Sequence, residues 1–200
     1  MQEDKFLIKG KKTSLIPATL DDRHKIFEWC FKSETTKCHS GPPDYPNSPI
    51  PTYEEFCTSD DFGYTEYYFT GTKPNDGRGF LIVNGEEAVG FISYCAFHLK
   101  PDTAELDIWM KDEANCGKGF GTDALISLGD YLHSNMYIRE LIIAPSIKNT
   151  RAVNSYTKAG FRITNKVMSE FLLDEYVPVY GEGDYGMSET LLLVKTFDRK

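Results

Sequence analysis

Two acidic residues, Glu105 and Asp107, stand two positions apart in a segment of alternating polar and apolar residues that runs from Thr103 to Met110. Such alternation is typical of a β-strand, in which residues two positions apart point to the same side of the sheet. The two carboxylates are therefore predicted to lie side by side on one face of this strand. Paired carboxylates are suited to binding a cation or to general acid and base chemistry, because the charge of each raises the pKa of the other.

A glycine-rich segment follows this strand and leads into a helix. Three glycines alternate from Gly117 to Gly121, and the residues from Ala124 to Leu132 are apolar at helical spacing. Glycines at the start of a helix let an anion approach the backbone N–H groups, and the helix dipole favours negative charge there. The spacing fits neither the GxxxxGK[ST] pattern nor the GxGxxG pattern. We interpret the segment as an anion-binding site beside the carboxylates; a glycine-rich turn without a ligand is the alternative.

The charge of the chain is unevenly distributed. The formal net charge is −8, yet the segment from Leu141 to Ser169 has five bases and no acid. The segments from Tyr53 to Phe69 and from Glu170 to Glu189 hold five and six acids, with no base, and several aromatic residues. We expect an anion to bind the basic segment and a cation to bind the acidic segments. The alternatives are that each charged run is only a solvated surface and that the aromatic residues form the core of a strand. The residues predicted to bind the cation, besides the strand carboxylates, are Tyr68, Asp174, Glu175 and Asp184.

Composition limits the other possibilities. The 200 residues, with 40% hydrophobic and 26% charged, predict one globular domain over residues 1–200. The sequence has no apolar run of membrane-spanning length, and its start lacks the apolar core of a signal peptide, so we expect a cytoplasmic protein that binds neither membrane nor nucleic acid. Five cysteines without a CxxC pair argue against a disulfide framework and a structural zinc site, and we expect no metal.

The periodicities predict an alternation of strands and helices. Five prolines between Pro42 and Pro51 exclude a helix interior or central strand there, so a loop or lid is expected. Asn84-Gly85 predicts a hairpin. Leu20, Phe27 and Phe31 are expected to point inward from the first helix. Strands are predicted at 11–17, 79–83, 88–97, 103–110, 138–144, 161–169 and 189–197, and helices at 20–32, from Thr52, after the glycines to about His133, and at 149–158.

Two motifs resemble those of the GNAT superfamily of N-acetyltransferases. Cys116 to Gly121 resembles the loop Q/R-x-x-G-x-G/A that holds the pyrophosphate of acetyl-CoA, although cysteine stands where the family has Gln or Arg. Asn149 to Phe161 (NTRAVNSYTKAGF) resembles N-x-x-A-x-x-x-Y-x-K-x-G-F at every specified position. The two motifs occur in the family's order, and the resemblance covers essentially the whole chain. Within the family, the chain is most similar to aminoglycoside 6′-N-acetyltransferases, which carry an aspartate where Asp107 stands.

The resemblance implies a fold and a co-substrate. The GNAT fold is α/β, with a mixed, mostly antiparallel sheet of about seven strands that is splayed between the fourth and fifth, flanked by about four helices. Acetyl-CoA is then the expected co-substrate. The residues that the resemblance assigns to it are Ile108, Trp109 and Met110 for pantetheine, Cys116, Gly117, Lys118, Gly119, Phe120, Gly121 and Thr122 for pyrophosphate, Asn149 for pantetheine, Arg151 or Lys158 for the ribose phosphate, and Ala152 and Tyr156 beside them.

The resemblance also implies a chemistry in which an amine attacks the thioester directly. Asp107, with Glu105 as its neighbour and possible substitute, would bind the acceptor ammonium and take its proton, directly or through a water. Tyr156 would protonate the leaving thiolate. A solvated strand face and a core-packed tyrosine are the ordinary alternatives. The expected acceptor is a small polycationic amine, and the protein is expected to be a monomer or a homodimer. One alternative acceptor is a protein N-terminus or lysine. The other alternative is a non-catalytic module that only binds acyl-CoA.

Overall fold

The computed structural model describes residues 7–36, 50–58 and 64–198, and a single mixed sheet runs through them. Its strands are β1 (Ile8–Lys9), β2 (Ser14–Pro17), β3 (Gly77–Asn84), β4 (Glu87–Cys95), β5 (Thr103–Met110), β6 (Glu140–Ile143), β7 (Arg162–Ile163) and β8 (Leu193–Thr196). The α-helices considered below are α1 (Arg23–Phe31), α2 (Tyr53–Thr58), α3 (Tyr67–Thr70), α4 (Phe120–Met136), α5 (Thr150–Lys158) and α6 (Val177–Tyr180). The order across the sheet is β1-β2-β3-β4-β5-β6-β8-β7.

The centre of the sheet is an antiparallel meander of β3, β4 and β5. The predicted hairpin at Asn84-Gly85 is confirmed, with Gly85 in the left-handed region at φ 64°. Strand β5 has the predicted bounds, and its register sets Ser93 opposite Asp107 and Cys95 opposite Glu105. The two carboxylates therefore lie on the same face of the sheet as the side chains of Ser93 and Cys95.

The sheet opens between β5 and β6. These parallel strands pair over only three residues each, Thr103–Glu105 with Glu140–Ile142. The end of β5, from Leu106 to Met110, therefore continues without the partner that β6 provides at its start. This is the predicted splay, and it creates a gap beside the part of β5 that carries Asp107, just beyond Glu105.

Apolar layers cover both faces of the sheet. Helix α4 packs Leu125, Leu128 and Leu132, all fully buried, against one face. The other face carries a second core that includes Phe56, Phe91 and Trp109 with α1, α2 and α3. The helix predicted from Thr52 is α2, which begins with a capping box in which Thr52 and Glu55 exchange hydrogen bonds.

The first turn of α4 is tied to the turn between β1 and β2. Asp123 accepts hydrogen bonds from the amides of Lys11, Lys12 and Thr13 at 3.0, 2.9 and 2.9 Å, and another from the Thr13 hydroxyl. Burial acts to raise the pKa of Asp123, but these bonds outweigh it and the pKa is lowered. A side chain at Gly10 would bring its Cβ 2.3 Å from Asp123 Oδ2, so glycine is required there. The start of α4 is thereby held against the sheet.

Several predicted boundaries are wrong. The strand predicted at 11–17 is β2, which begins at Ser14 because the amides of Lys11 to Thr13 bind Asp123, and the short strand β1 before it was not predicted. Leu20 is 44% exposed rather than inward. The last two strands, β7 and β8, are much shorter than the predicted ranges 161–169 and 189–197. The first of these ranges ends in a 3-10 turn, Met168–Glu170, in which the Glu170 carboxylate accepts a hydrogen bond from the Val167 amide. Most of the proline-rich segment, 42–49, and Phe62 lie outside the described residues. In the ranges that the structure describes, no helix has the length and apolar character to cross a bilayer.

Candidate active site

A cavity of about 470 Å³ lies where the sheet opens, between the end of β5, the glycine segment and α5. Of the residues assigned above to the co-substrate, only Lys118 is missing from its lining. The predicted residues that line it are Ile108, Trp109, Met110, Cys116, Gly117, Gly119, Phe120, Gly121, Thr122, Asn149, Arg151, Ala152, Tyr156 and Lys158. The lining residues that the sequence did not indicate are Thr35, Asn115, Thr150, Asn154 and Ser155.

The glycine segment shapes one wall of this cavity. Gly117 and Gly119 have φ of 73° and 84°, in the left-handed region that other residues rarely adopt. Gly119 is the N-cap of α4, and the first hydrogen bond of the helix runs from the Asp123 amide to the Gly119 carbonyl at 3.0 Å. The preceding amides of the first turn have no partner within the helix, so they can bind an anion at the cavity wall.

Helix α5 forms the opposite wall and is joined to α4 by a hydrogen bond of 2.8 Å between the hydroxyls of Ser155 and Thr122. Asn149 caps α5, accepting from the Ala152 amide at 3.1 Å through Oδ1. The asparagine that begins the second motif is thus the residue that caps the helix. Arg151 pairs with Glu113 from the loop after β5, which brings the glycine segment and α5 together.

Tyr156 lies on α5 with only 8% of its surface exposed, and it lines the cavity. Burial and the charge of Asp107 both raise its pKa, so its hydroxyl stays protonated at neutral pH. The electrostatic effect of Asp107 on Tyr156 indicates that the two lie near each other across the opening of the sheet. The protonated phenol can therefore donate a hydrogen bond to a molecule in the cavity.

Asp107 lies on the face of β5 that carries the second core. Its side chain is exposed to solvent, but protein atoms surround it on the other sides, as for a residue at the bottom of a cleft. The hydroxyl of Tyr64 donates to Asp107 Oδ2 at 2.7 Å and lies 3.1 Å from Ser93 Oγ. Burial raises the pKa of Asp107, the Tyr64 bond opposes that rise, and the charge of Glu105 adds to it. The pKa is raised overall, which strengthens Asp107 as a base.

A third carboxylate, Asp184, belongs to the same group. Burial and the charges of Glu105 and Asp107 raise the pKa of Asp184 to about 7. Of the three predicted acidic-loop residues, Asp184 lies near enough to the strand carboxylates for their charges to raise its pKa. Asp174 and Glu175 lie on an exposed 3-10 turn.

Aromatic rings border these carboxylates on two sides. On one side, Tyr64 packs on Trp109 with ring centroids 5.5 Å apart and on Tyr68 at 5.1 Å. Tyr68, predicted to bind the acceptor, is 4% exposed and supports Tyr64 from behind. On the other side, the rings of Phe97, His98, Tyr176 and Tyr180 form one cluster.

His98 is part of this second border and was not predicted. Its Nε2 lies 3.2 Å from Glu105 Oε2, and the side chain is 6% exposed. His98 follows the end of β4, and the hairpin brings it back onto β5. A correct register for β4 and β5 is the one signal in the sequence that would have indicated this contact.

An opened mixed sheet, a glycine-capped helix and a cavity between two helices are together the architecture of an acyl-coenzyme A-dependent transferase. The family model for the acetyltransferase (GNAT) domain matches residues 13–162. The chain therefore belongs to the GNAT acetyltransferase family, as the two motifs predicted.

Solved structures with the same fold have low sequence identity. Aminoglycoside acetyltransferase AAC(6′)-Ib, in complex with paromomycin and acetyl-CoA, superposes with a TM-score of 0.66 at 18% identity, covering 93% of this chain and 94% of that one. Spermidine N-acetyltransferase from Vibrio cholerae, in complex with CoA and spermine, has a TM-score of 0.63 at 16% identity, covering 92% and 95%. No curated protein sequence matches the chain significantly.

Proposed function

We propose that this acetyltransferase moves an acetyl group from acetyl-CoA to a primary amine of a small polycationic acceptor, such as an aminoglycoside or a polyamine. The observation that carries the proposal is the group formed by Glu105, Asp107 and Asp184, whose charges act on one another at the opening of the sheet. A molecule with several ammonium groups neutralises several carboxylates at once. Aromatic rings on both sides suit the carbon faces between those charges.

Acetyl-CoA would bind in the cavity beside β5. The backbone of Ile108 to Met110 pairs with β4 on one side but not with β6 on the other, and that second edge can pair with the amides of a pantetheine arm. The pyrophosphate would lie at the first turn of α4, and Arg151 or Lys158 would approach the ribose phosphate. Structures of the same fold in complex with acetyl-CoA or CoA support this co-substrate.

In the proposed reaction, the acceptor ammonium pairs with the carboxylates and passes one proton to Asp107. The neutral amine then attacks the thioester carbonyl, so that a C–N bond forms and the C–S bond breaks. The electron pair leaves with the CoA sulfur, which takes a proton from Tyr156. The second proton of the amine nitrogen is released as the amide forms and restores the Tyr156 phenol, directly or through water. Once the acceptor has neutralised Asp107, its charge no longer raises the pKa of Tyr156, which makes the phenol a better donor at that stage.

The alternative acceptor, a protein N-terminus or lysine, presents one ammonium on a neutral backbone. Such an acceptor brings one positive charge to a group of three carboxylates, so most of the repulsion among them remains. The charge count of the site therefore favours the polycation. The aminoglycoside and spermine complexes of the structural neighbours are consistent with it.

The proposal is tested by measuring CoA thiol release with three classes of acceptor: aminoglycosides and polyamines, peptides with a free N-terminus or a lysine, and simple monoamines. We expect turnover with the first class, a much lower kcat/KM with the others, and loss of turnover in Asp107→Asn with acetyl-CoA affinity retained. Preference for peptides would transfer the assignment to protein acetylation. Binding of acetyl-CoA without turnover of any amine would indicate a non-catalytic module.

A further inference from the structure

Three potential metal ligands meet at the edge of the carboxylate group. Cys95 is the last residue of β4 and lies opposite Glu105 in the register of β4 and β5. His98 follows three residues later and turns back onto Glu105, with Nε2 and Oε2 3.2 Å apart. The cysteine sulfur, one imidazole nitrogen and one carboxylate oxygen lie within 4.8 Å of one another.

The spacing of these atoms is close to that of a metal centre. Ligand atoms in a tetrahedral zinc site lie about 3.5 Å apart, as follows from bond lengths of about 2.0 to 2.3 Å. The separations of up to 4.8 Å in this structure are therefore not far above those of a bound ion. The backbone geometry of β4 and β5 already brings the ligands together.

The imidazole is held in place by its surroundings. His98 is 4% exposed, and its ring packs on Phe97 and Tyr180 with centroids 4.7 and 5.2 Å away. These contacts hold the ring so that its Nε2 edge faces Glu105, which is the edge that an ion between the three side chains would use.

We propose that Cys95, His98 and Glu105 form a binding site for a divalent transition metal of the zinc type. Thiolate and imidazole ligands select Zn²⁺ and similar ions over Mg²⁺ and Ca²⁺, which prefer oxygen. Three protein ligands leave one coordination position for water. Half-buried Cys95 and Glu105 allow an ion to enter from the cleft.

Occupation of this site would inhibit the enzyme. Glu105 would be taken by the metal, and two positive charges would lie beside Asp107, where an acceptor ammonium is proposed to bind. Inhibition is therefore expected to compete with the amine and not with acetyl-CoA. This consequence rests on the proposed function, whereas metal binding itself does not.

Binding is tested by calorimetric titration of chelator-treated full-length protein with Zn²⁺. We expect one ion per chain, at least about tenfold weaker binding in Cys95→Ser and in His98→Gln, and no comparable binding of Mg²⁺. Cys57→Ser and His24→Gln are the matched controls, since each removes a residue of the same type elsewhere, and they should bind Zn²⁺ as the parent does. Equal affinity in the parent and Cys95→Ser, or no binding by the parent, would overturn the proposal.

A second measurement guards against variants that misfold. Co²⁺ bound to the parent should give the thiolate-to-metal charge-transfer band, and Cys57→Ser should keep it while Cys95→Ser loses it. A band retained in Cys95→Ser, or absent from the parent, contradicts the assignment. If Zn²⁺ binds as expected but leaves the acceptor KM unchanged, the metal site stands and the acceptor position at Glu105 is wrong.

Discussion

Removing the hydroxyl of Tyr64 tests whether Asp107 is the base. The hydroxyl donates to the Asp107 carboxylate at 2.7 Å and so stabilises its ionised form. Burial raises the pKa of Asp107, and Tyr64 opposes that rise. Tyr64→Phe keeps the ring that packs on Phe56 and Trp109 while it removes the hydrogen bond. The pKa of Asp107 should therefore rise in the variant.

The size of this rise follows from the bond that is lost. A hydrogen bond to a charged group contributes about 1.5 to 3 kcal/mol, and the lower end applies here because solvent reaches Asp107. One pKa unit corresponds to about 1.4 kcal/mol, so an upward shift of about one unit is expected. Asp107 acts in its ionised form, which is present above its pKa. The acid limb of the rate profile should move to higher pH by that amount.

The assay is the initial rate of CoA thiol release, measured as kcat against pH at saturating acetyl-CoA and acceptor. Saturation removes the effect of Asp184 on acceptor binding from the profile. Tyr67→Phe is the matched control, because it removes a hydroxyl from the neighbouring helix α3 that does not donate to Asp107. An acid limb that stays in place in Tyr64→Phe, or moves equally in Tyr67→Phe, would refute the role of Asp107.

Four further outcomes are expected. Gly121→Glu should abolish CoA binding in calorimetry by placing charge and volume in the cavity, whereas Gly121→Ala, whose Cβ meets its nearest neighbour at 3.5 Å, should bind within a few-fold of the parent. Asp123→Ala should lower the free energy of unfolding in urea by about 2 to 4 kcal/mol, since it leaves several amide donors unpaired. Because the pKa of Asp123 is lowered in the folded protein, the part of this difference that depends on its charge should be complete above the unfolded pKa of about 4 and should be lost as the pH falls through the folded pKa. Acceptor KM should rise as the pH falls through about 7, where Asp184 becomes protonated, and Asp184→Asn should show the higher KM throughout. Tyr156→Phe should reduce kcat by about ten- to a hundredfold with little change in acceptor KM, as measured by steady-state kinetics.

Local patterns in the sequence predicted the parts of the fold that depend on neighbouring residues. The alternation from Thr103 to Met110 matches β5 in both bounds, because each residue of a two-sided strand must suit its own face. The glycines before α4 were recognisable because Gly117 and Gly119 adopt left-handed backbone angles that other residues avoid. Both motifs led to the family that the comparison confirms.

Contacts between distant segments could not be predicted in this way. Tyr64 and Asp107 are 43 positions apart, and a hydrogen bond over that distance leaves no periodicity in the sequence. His98 has no motif around it and reaches Glu105 only through the register of β4 and β5. The short strands β7 and β8 were overestimated because apolar residues that pack under a turn, such as Met168, resemble those of a strand.

The central claim, that a group of carboxylates selects a polycation, is tested most directly with cadaverine and pentylamine, which share a carbon chain and differ in one ammonium group. The measurement is kcat/KM for each amine, at low and at high salt, in the parent and in Asp184→Asn. The account predicts a preference of about tenfold or more for cadaverine at low salt, reduced both by salt and by the substitution. Equal kcat/KM for the two amines, or a preference that neither salt nor Asp184→Asn changes, would contradict it.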